Sequence, residues 1–410
     1  MTPATELTSS SLLEQLHSAR TESDRLFSII KPEALYQRPI EARHRLIFYI
    51  GHLDGFDFIQ ICREGVGVQP TDPEFDKLFQ AGIDPDANHL PKDQPSDWPS
   101  LDQVYGYVRR CRDNVDAHLT RAPEEVVQMA IEHRTMHLET LAYMFHNFSY
   151  HLKHSGPQRR AAVSDEGEIE NEWREIPAGE AILGKVDDGS FGWDNEYEQV
   201  RRHVNAFRIQ RYSITNGEYF QFVKQGARFP NFWVERDGRL YLRGMFEEFP
   251  LPLNWPVYVS QQEATAYAHW LGKNLPSEEQ FHRAAFGTPS SKTRPYPWGT
   301  AEPEFEHGNF DFKRWDPEPV WASPYGRSAF GVDQLVGNGW EWTRTPFGPF
   351  PGFKPRDSYP GYSANFFDGE HYVMKGASPR TSRVLLRSSF RNWFRRDYPY
   401  MYAKFRCVED

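Results

Sequence analysis

Two histidines four residues apart, His133 and His137 in "EHRTMHLET", stand in a segment with helical spacing. Residues at i and i+4 share one helical face with Cβ atoms about 6 Å apart, so both imidazoles can reach one ion. The chain holds 15 His in 410 residues. Chance alone gives such a pair in about every second chain of this make-up, so the spacing does not by itself separate a metal site from two histidines on one face. Arg134, Thr135 and Met136 between them add no carboxylate ligand, and Glu139 lies on a different helical face. A third ligand has to come from another helix. His52 in "FYIGHLDGFD" is best placed, on an apolar segment that a helical bundle turns inward. A core histidine bonded to a neighbour is the alternative reading of His52, and His44, eight residues earlier, competes with it as a ligand. His151 and His154 follow the expected helix end and read as solvated. Three converging neutral imidazoles would hold a divalent ion on one side and leave positions open for substrate and O2 or water. Zinc in the same set would generate hydroxide instead, and ligand type does not separate the two.

The elements that must position these side chains fall in the first ~150 residues, which read as four amphipathic helices with short polar connections. Leu12, Leu13, Leu16, Ala19, Leu26 and Phe27 mark the first helix, and "EARHRLIFYIGHLDGFDFIQIC" the second. The third is entered through Ser100. The fourth starts at Pro123, with Glu124 and Glu125 complementing the positive helix end. Four helices in succession predict a bundle over 1–157. Residues 158–172 turn polar and charged, as a linker does. From 173 to 410 the chain is rich in Gly, Pro and aromatics, with short apolar runs between turn signals; "SQQEATAYAHWLGK" and "SEEQFHRAAFG" are its clear helices. The expectation is an α+β domain held by aromatic packing and ordered loops.

Composition narrows the function classes. With 39% hydrophobic and 25% charged residues and no apolar run near the roughly 20 residues of a membrane helix, the chain is not a membrane protein. The amino-terminal segment has no basic region followed by an apolar core, which predicts no secretory signal and a cytoplasmic location. A net charge of −10 without a long acidic or basic block argues against a nucleic-acid partner. Cys62, Cys111 and Cys407 show no CxxC spacing, so they are expected to be buried thiols.

Four ordered stretches, "GSFGWDNEYEQVRRHVNAFRIQRYSITNGEYFQFV", "LPSEEQFHRAAF", "LVGNGWEWTRTPF" and "SSFRNWFRRDYPYMYAKFRCV", resemble the serial motifs of the formylglycine-generating-enzyme fold, a C-type-lectin-like α+β domain. The first half resembles a DinB-like four-helix bundle, with "HRTMHLETLAYM" at the place of its HxxxH helix. Bundle first and formylglycine-type domain second is similar to the ergothioneine sulfoxide synthase family and to its relative, selenoneine synthase. The resemblance implies a non-haem Fe(II) bound by His52, His133 and His137. With O2, that iron would join sulfur or selenium to imidazole C2 of hercynine, the trimethylated form of histidine. It also implies a hercynine pocket at Asn392, Trp393 and Phe394, with Trp340, Trp342 and Thr343 nearby. Aromatic faces and amide oxygens suit a quaternary ammonium, which donates no hydrogen bonds. Asn195 and Glu196 in "WDNE" are expected to stabilise the fold.

Two departures bear on the donor. Actinobacterial sulfoxide synthases that use γ-glutamylcysteine place arginines before the third bundle helix and an Asp after the Trp of "RNW". Here "NHLPKDQPSDWPSLDQV" has no Arg and Phe394 follows Trp393, so the usual partners of a dianionic donor are missing. Arg380, Arg383, Arg395 and Arg396 are the candidates to replace them. No tyrosine pair lies near "EFDKLFQ", and Phe347 and Phe350 occupy the stretch where the family's proton-donating tyrosine is sought; Tyr398, Tyr400 and Tyr402 are the other candidates for that role. A selenosugar or thiosugar donor follows as the leading expectation, and cysteine or γ-glutamylcysteine as the alternative. Sulfatase activation is disfavoured, because "MKGASPRTSRVLLRSSF" lacks the cysteine pair that chemistry needs. The remaining alternative is a ligand-binding module without activity.

Overall fold

A helix with a polar stripe can lie on a surface, but Leu46–Asp57 has none: all 12 of its residues are buried, so it runs through the middle of its unit. The computed structural model describes residues 3–80, 90–156 and 169–410, and the chain divides into two units, Met1–Pro157 and Gln158–Asp410. The first is helical: α1 (Pro3–Phe27), α2 (Leu46–Asp57), α3 (Pro73–Gln80), α4 (Leu101–His118) and α5 (Glu124–His146). The four expected helices are α1, α2, α4 and α5. Ser100 caps α4, accepting from the Gln103 amide at 3.4 Å in a capping box. Pro123 sits one residue ahead of α5, at its cap, with Glu124 and Glu125 in the first turn. The two-turn helix α3 had no clear periodic signal, and the expected second helix, marked over 41–62, starts at Leu46 and continues past Asp57 as a π-helical stretch, Phe58–Glu64. Of the expected linker, residues 158–168 lie outside the described residues.

Because α2 is wholly buried, its charged side chains must be paired inside the unit. Arg134 of α5 has no solvent exposure. Its guanidinium donates to Asp54 at 2.6 Å, to Asp57 at 2.7 and 3.1 Å and to the Ser23 hydroxyl at 3.0 Å. Arg112 adds contacts of 3.1 Å to Asp54, and Arg20 of α1 lies 3.8 Å from Asp54 and 4.0 Å from Asp57. Burial pushes the Asp54 carboxyl up, but Arg134 and Arg112 outweigh it and hold the group below its ordinary range. One arginine thus ties α1, α2 and α5 together.

The second unit is β-rich with three helices. It contains β1 (Trp173–Ile176), β2 (Gly179–Leu183), β3 (Val200–Val204), β4 (Phe207–Gln210), α6 (Asn216–Lys224), β5 (Trp233–Arg236), β6 (Arg239–Arg243) and β7 (Glu248–Pro250). α7 (Gln261–Trp270), α8 (Glu278–Phe286), β8 (Gly339–Pro346), β9 (His371–Ala377), β10 (Asn392–Arg395), β11 (Ala403–Lys404) and β12 (Val408–Glu409) follow. The helices start at capping boxes, Thr215 with Glu218, Ser260 with Glu263 and Ser277 with Gln280. The main sheet runs β10-β9-β8-β11, with β11 parallel to β8 and the other pairs antiparallel. Smaller sheets are β1-β4-β12, β2-β3 and β5-β6-β7. Ile176, Leu183, Phe207, Ile209, Phe281, Leu335 and Val408 share one core. Arg406 and Lys404, both without exposure, close on Glu341 of β8 at 2.5 and 3.4 Å. This is the expected α+β, C-type-lectin-like arrangement. All three cysteines are buried thiols, and no described helix is long and apolar enough to cross a membrane.

Replacing Arg134 with Met leaves the buried Asp57 with only Arg20 at 4.0 Å and takes one guanidinium from Asp54, and should lower the unfolding free energy of the bundle by about 3–5 kcal/mol. Urea denaturation measures it; a loss below about 1 kcal/mol would show that the carboxylates find other partners.

Candidate metal centre

His52 on α2 and His133 and His137 on α5 form one group, each offering a ring nitrogen within 4.8 Å of the others. Nε2 of His137 lies 3.1 Å from Nε2 of His133 and 3.3 Å from Nε2 of His52. Two nitrogens that share a divalent ion at about 2.0–2.1 Å each stand about 3–3.4 Å apart, so the three residues fit a bound metal. All three rings are at most 2% exposed. Burial lowers His52 to about 4, against the Phe79 carbonyl, which raises it. His133 and His137 are pushed well below the ordinary imidazole value, first by burial and then by the neighbouring histidines. Neutral imidazoles at physiological pH are the ligand form, with no proton to expel.

The surroundings fix how each ring points. Nδ1 of His52 donates to the Phe79 carbonyl at 2.6 Å, which leaves Nε2 with the free lone pair. Phe48 stacks on His52 with ring centroids 4.8 Å apart, and Phe56 stacks on His133 at 3.5 Å. These phenyl rings, one turn before and after His52 on α2, wall the group with apolar surface. His44 instead lies tilted against Phe48, ring centroids 4.2 Å apart, outside the three-histidine group. His151 and His154 are exposed.

Strand alternation divides the candidate substrate residues. Asn392, Met374 and Trp342 line up across β10, β9 and β8 on one face, while Trp393 pairs with Val373 and points the other way. Trp342 and Thr343 have no exposure. Trp342 Nε1 donates to the Val259 carbonyl at 2.8 Å and the Thr343 hydroxyl to the Val373 carbonyl at 2.7 Å, so their polar atoms serve the fold. Trp340 is buried as well, 1% exposed. Trp393 is only half-buried. It stacks on Phe347 at 4.2 Å, with Tyr362 edge-on at 5.3 Å and Phe366 at 5.6 Å. The half-buried Asn392 accepts the Trp393 amide at 2.9 Å, and Phe394 stacks on Tyr398 at 5.1 Å. Tyr398 meets Tyr400 at 5.2 Å; Tyr402 is buried. Glu196, without exposure, binds Arg387 at 2.5 and 2.8 Å and the Ser389 hydroxyl at 2.6 Å, a structural role.

Sequence reasoning did not reach Phe79, whose contribution is a main-chain oxygen, nor Arg134 with Asp54 and Asp57. The available signals were two acidic residues and two glycines in an otherwise apolar helix, "IGHLDGFD".

Residues 161–410 match the sulfatase-modifying factor enzyme 1-like domain, and residues 15–154 the DinB superfamily. Hercynine oxygenases of Mycolicibacterium thermoresistibile and Mycolicibacterium smegmatis are each 30% identical over 95% of this chain, which covers 91% and 95% of those proteins. Ergothioneine biosynthesis protein 1 of Neurospora crassa is 27% identical over 93% of this chain. The chain spans about half the length of the fungal relatives it matches, 56% for the Neurospora protein and 54% for that of Schizosaccharomyces pombe.

Anaerobic loading with Fe(II) followed by desalting should leave about one ion per wild-type chain and His44→Ala chain, and under about a tenth as much in His52→Ala or His137→Ala. Full iron content in His52→Ala would remove that residue from the site.

Proposed function

The chain belongs to the family that joins a DinB-superfamily bundle to a sulfatase-modifying factor enzyme 1-like domain and includes the hercynine oxygenases, and from that membership we propose that it is an iron-dependent oxidoreductase acting on hercynine. The reaction proposed replaces the C2–H bond of hercynine's imidazole with a C–Se or C–S bond; the C2 and chalcogen protons and the two electrons released pass to O2, the oxidant. The observation that carries it is the convergence of His52, His133 and His137 at ligand spacing. Fe(II) held by these three nitrogens would supply redox chemistry toward O2, whereas zinc has no redox chemistry to offer an oxygenase. The protein buries the three imidazoles, which favours their neutral form, and the stacked Phe48 and Phe56 hold the planes of His52 and His133. On the other unit, the Trp393 ring with Phe347, Tyr362 and Phe366 offers the aromatic surface that a trimethylammonium group prefers, and Asn392 and Phe394 line the opposite face of β10.

A selenosugar or thiosugar donor is supported by the state of the arginines. A γ-glutamyl donor carries two carboxylates and wants guanidinium forks. Arg38 and Arg45 do reach the segment ahead of α4, but both bind Asp93, Arg45 at 2.8 Å. Of the candidate arginines, Arg380 is enclosed with its guanidinium 3.8 Å from the Trp315 ring centre, Arg383 binds Asp311 at 2.9 Å and Arg395 lies 3.7 Å from Asp397, while Arg396 is exposed. A second reading, a sulfoxide synthase taking cysteine or γ-glutamylcysteine, is favoured by the 30% identity to hercynine oxygenases along almost the whole chain.

The iron-loaded protein, mixed anaerobically with hercynine and each donor and then exposed to air, should give a C–Se or C–S product by mass spectrometry with the sugar donors. Turnover only with cysteine or γ-glutamylcysteine would move the assignment to the second reading, and hercynine left unconsumed with every donor would remove both. Trp393→Ala should raise KM for hercynine about ten- to thirtyfold. Trp342→Phe should leave KM within about twofold while lowering the unfolding free energy by about 2 kcal/mol, through a lost hydrogen bond and a gap. Equal KM effects in steady-state kinetics would contradict the division between the two tryptophans.

A further inference from the structure

Helix α3 carries no ligand, yet it supplies the oxygen that orients His52. Phe79 is the penultimate residue of α3, so its carbonyl is among the last four of the helix, which have no partner within it and sit at the negative end of the helix dipole. That carbonyl takes the Nδ1 proton of His52 at 2.6 Å. A helix of 8 residues does not hold its own position in water, so something must dock it.

Two contacts do. Asp76 of α3, 2% exposed, accepts from the Tyr107 hydroxyl of α4 at 2.9 Å and from Arg63 at 3.3 Å. The Phe79 ring stacks on the Tyr107 ring with centroids 5.5 Å apart and settles onto α2 at Gly51. A Cβ at Gly51 would stand 2.5 Å from three atoms of that ring, and a Cβ at Gly55 would stand 2.8 Å from the Tyr107 hydroxyl. A glycine inside a helix costs about 1 kcal/mol relative to alanine. Here the two, four residues apart, open a groove that admits Phe79 and Tyr107 beside His52.

We propose that Tyr107 and Asp76 are positioning residues for the metal ligand His52, acting through α3 and the Phe79 carbonyl. With the Tyr107–Asp76 bond in place, the carbonyl holds the His52 ring in the tautomer whose Nε2 faces His137. Without it, α3 loses its latch and His52 its fixed orientation. The inference rests on the reading of the three histidines as a metal site.

Co(II) titration of the full-length protein, followed by its visible ligand-field bands, tests this with the metal alone. Tyr107→Phe keeps the ring and removes only the hydroxyl; it should raise the Co(II) dissociation constant about tenfold or more and shift the bands. Asp76→Asn, which retains an acceptor for the hydroxyl, should stay within about threefold of wild type. Leu16→Ala, which empties a fully buried position on α1, should lower thermal stability and leave affinity and bands unchanged. Wild-type affinity and bands in Tyr107→Phe, or an equal loss in Leu16→Ala, would overturn the positioning role alone. A wild-type protein that binds no Co(II) would remove the metal site and the inference together.

Discussion

A guanidinium closed off from solvent, Arg134, and the two carboxylates it binds, Asp54 and Asp57, fix how α2 and α5 meet. Taking these charges out of water is costly, and only close, multiple contacts offset the cost. The arrangement therefore tolerates little displacement: sliding one helix by a turn, about 5.4 Å, or rotating it by one residue, about 100°, would leave charges unpaired. On α5 Arg134 follows His133 directly. On α2 Asp54 lies two residues past His52, about 200° around the helix. The ionic contact and the histidine group thus face apart on α2 and stand side by side on α5, where Arg134 is three residues from His137, and the first sets the register in which His52 meets His133 and His137.

The second unit solves a different problem. It must present a half-buried aromatic surface from a sheet whose interior is itself aromatic. Pleating separates the two: along β10, Trp393 faces Phe347, Tyr362 and Phe366, while Asn392 shares its face with Met374 and the enclosed Trp342. The buried Glu341–Arg406–Lys404 cluster secures β8 to the chain end that carries β11. Polar groups hold the frame in both units, and apolar rings line the candidate sites.

What the sequence disclosed follows from the range of each signal. The helix faces of His133 and His137, the Ser100 cap and the helix starts in "SQQE" and "SEEQ" are local, and they appear where the spacing predicts. Helix α3 was illegible because two turns of "PEFDKLFQ" are held by tertiary contacts to Tyr107 and Gly51 rather than by their own periodicity. The carbonyl of Phe79 carries no side-chain signature at all. Trp342 and Trp393 are the same residue type in neighbouring motifs, and only the pairing of three strands assigns one to the core and the other to the candidate pocket.

The central claim is that α2 and α5 together hold one iron through three imidazoles. Fe K-edge X-ray absorption on the anaerobically loaded wild-type protein tests it most directly. The account predicts three histidine-type scatterers among light-atom ligands at about 2.0–2.2 Å. A spectrum with one imidazole or none, or iron lost on desalting, would contradict it.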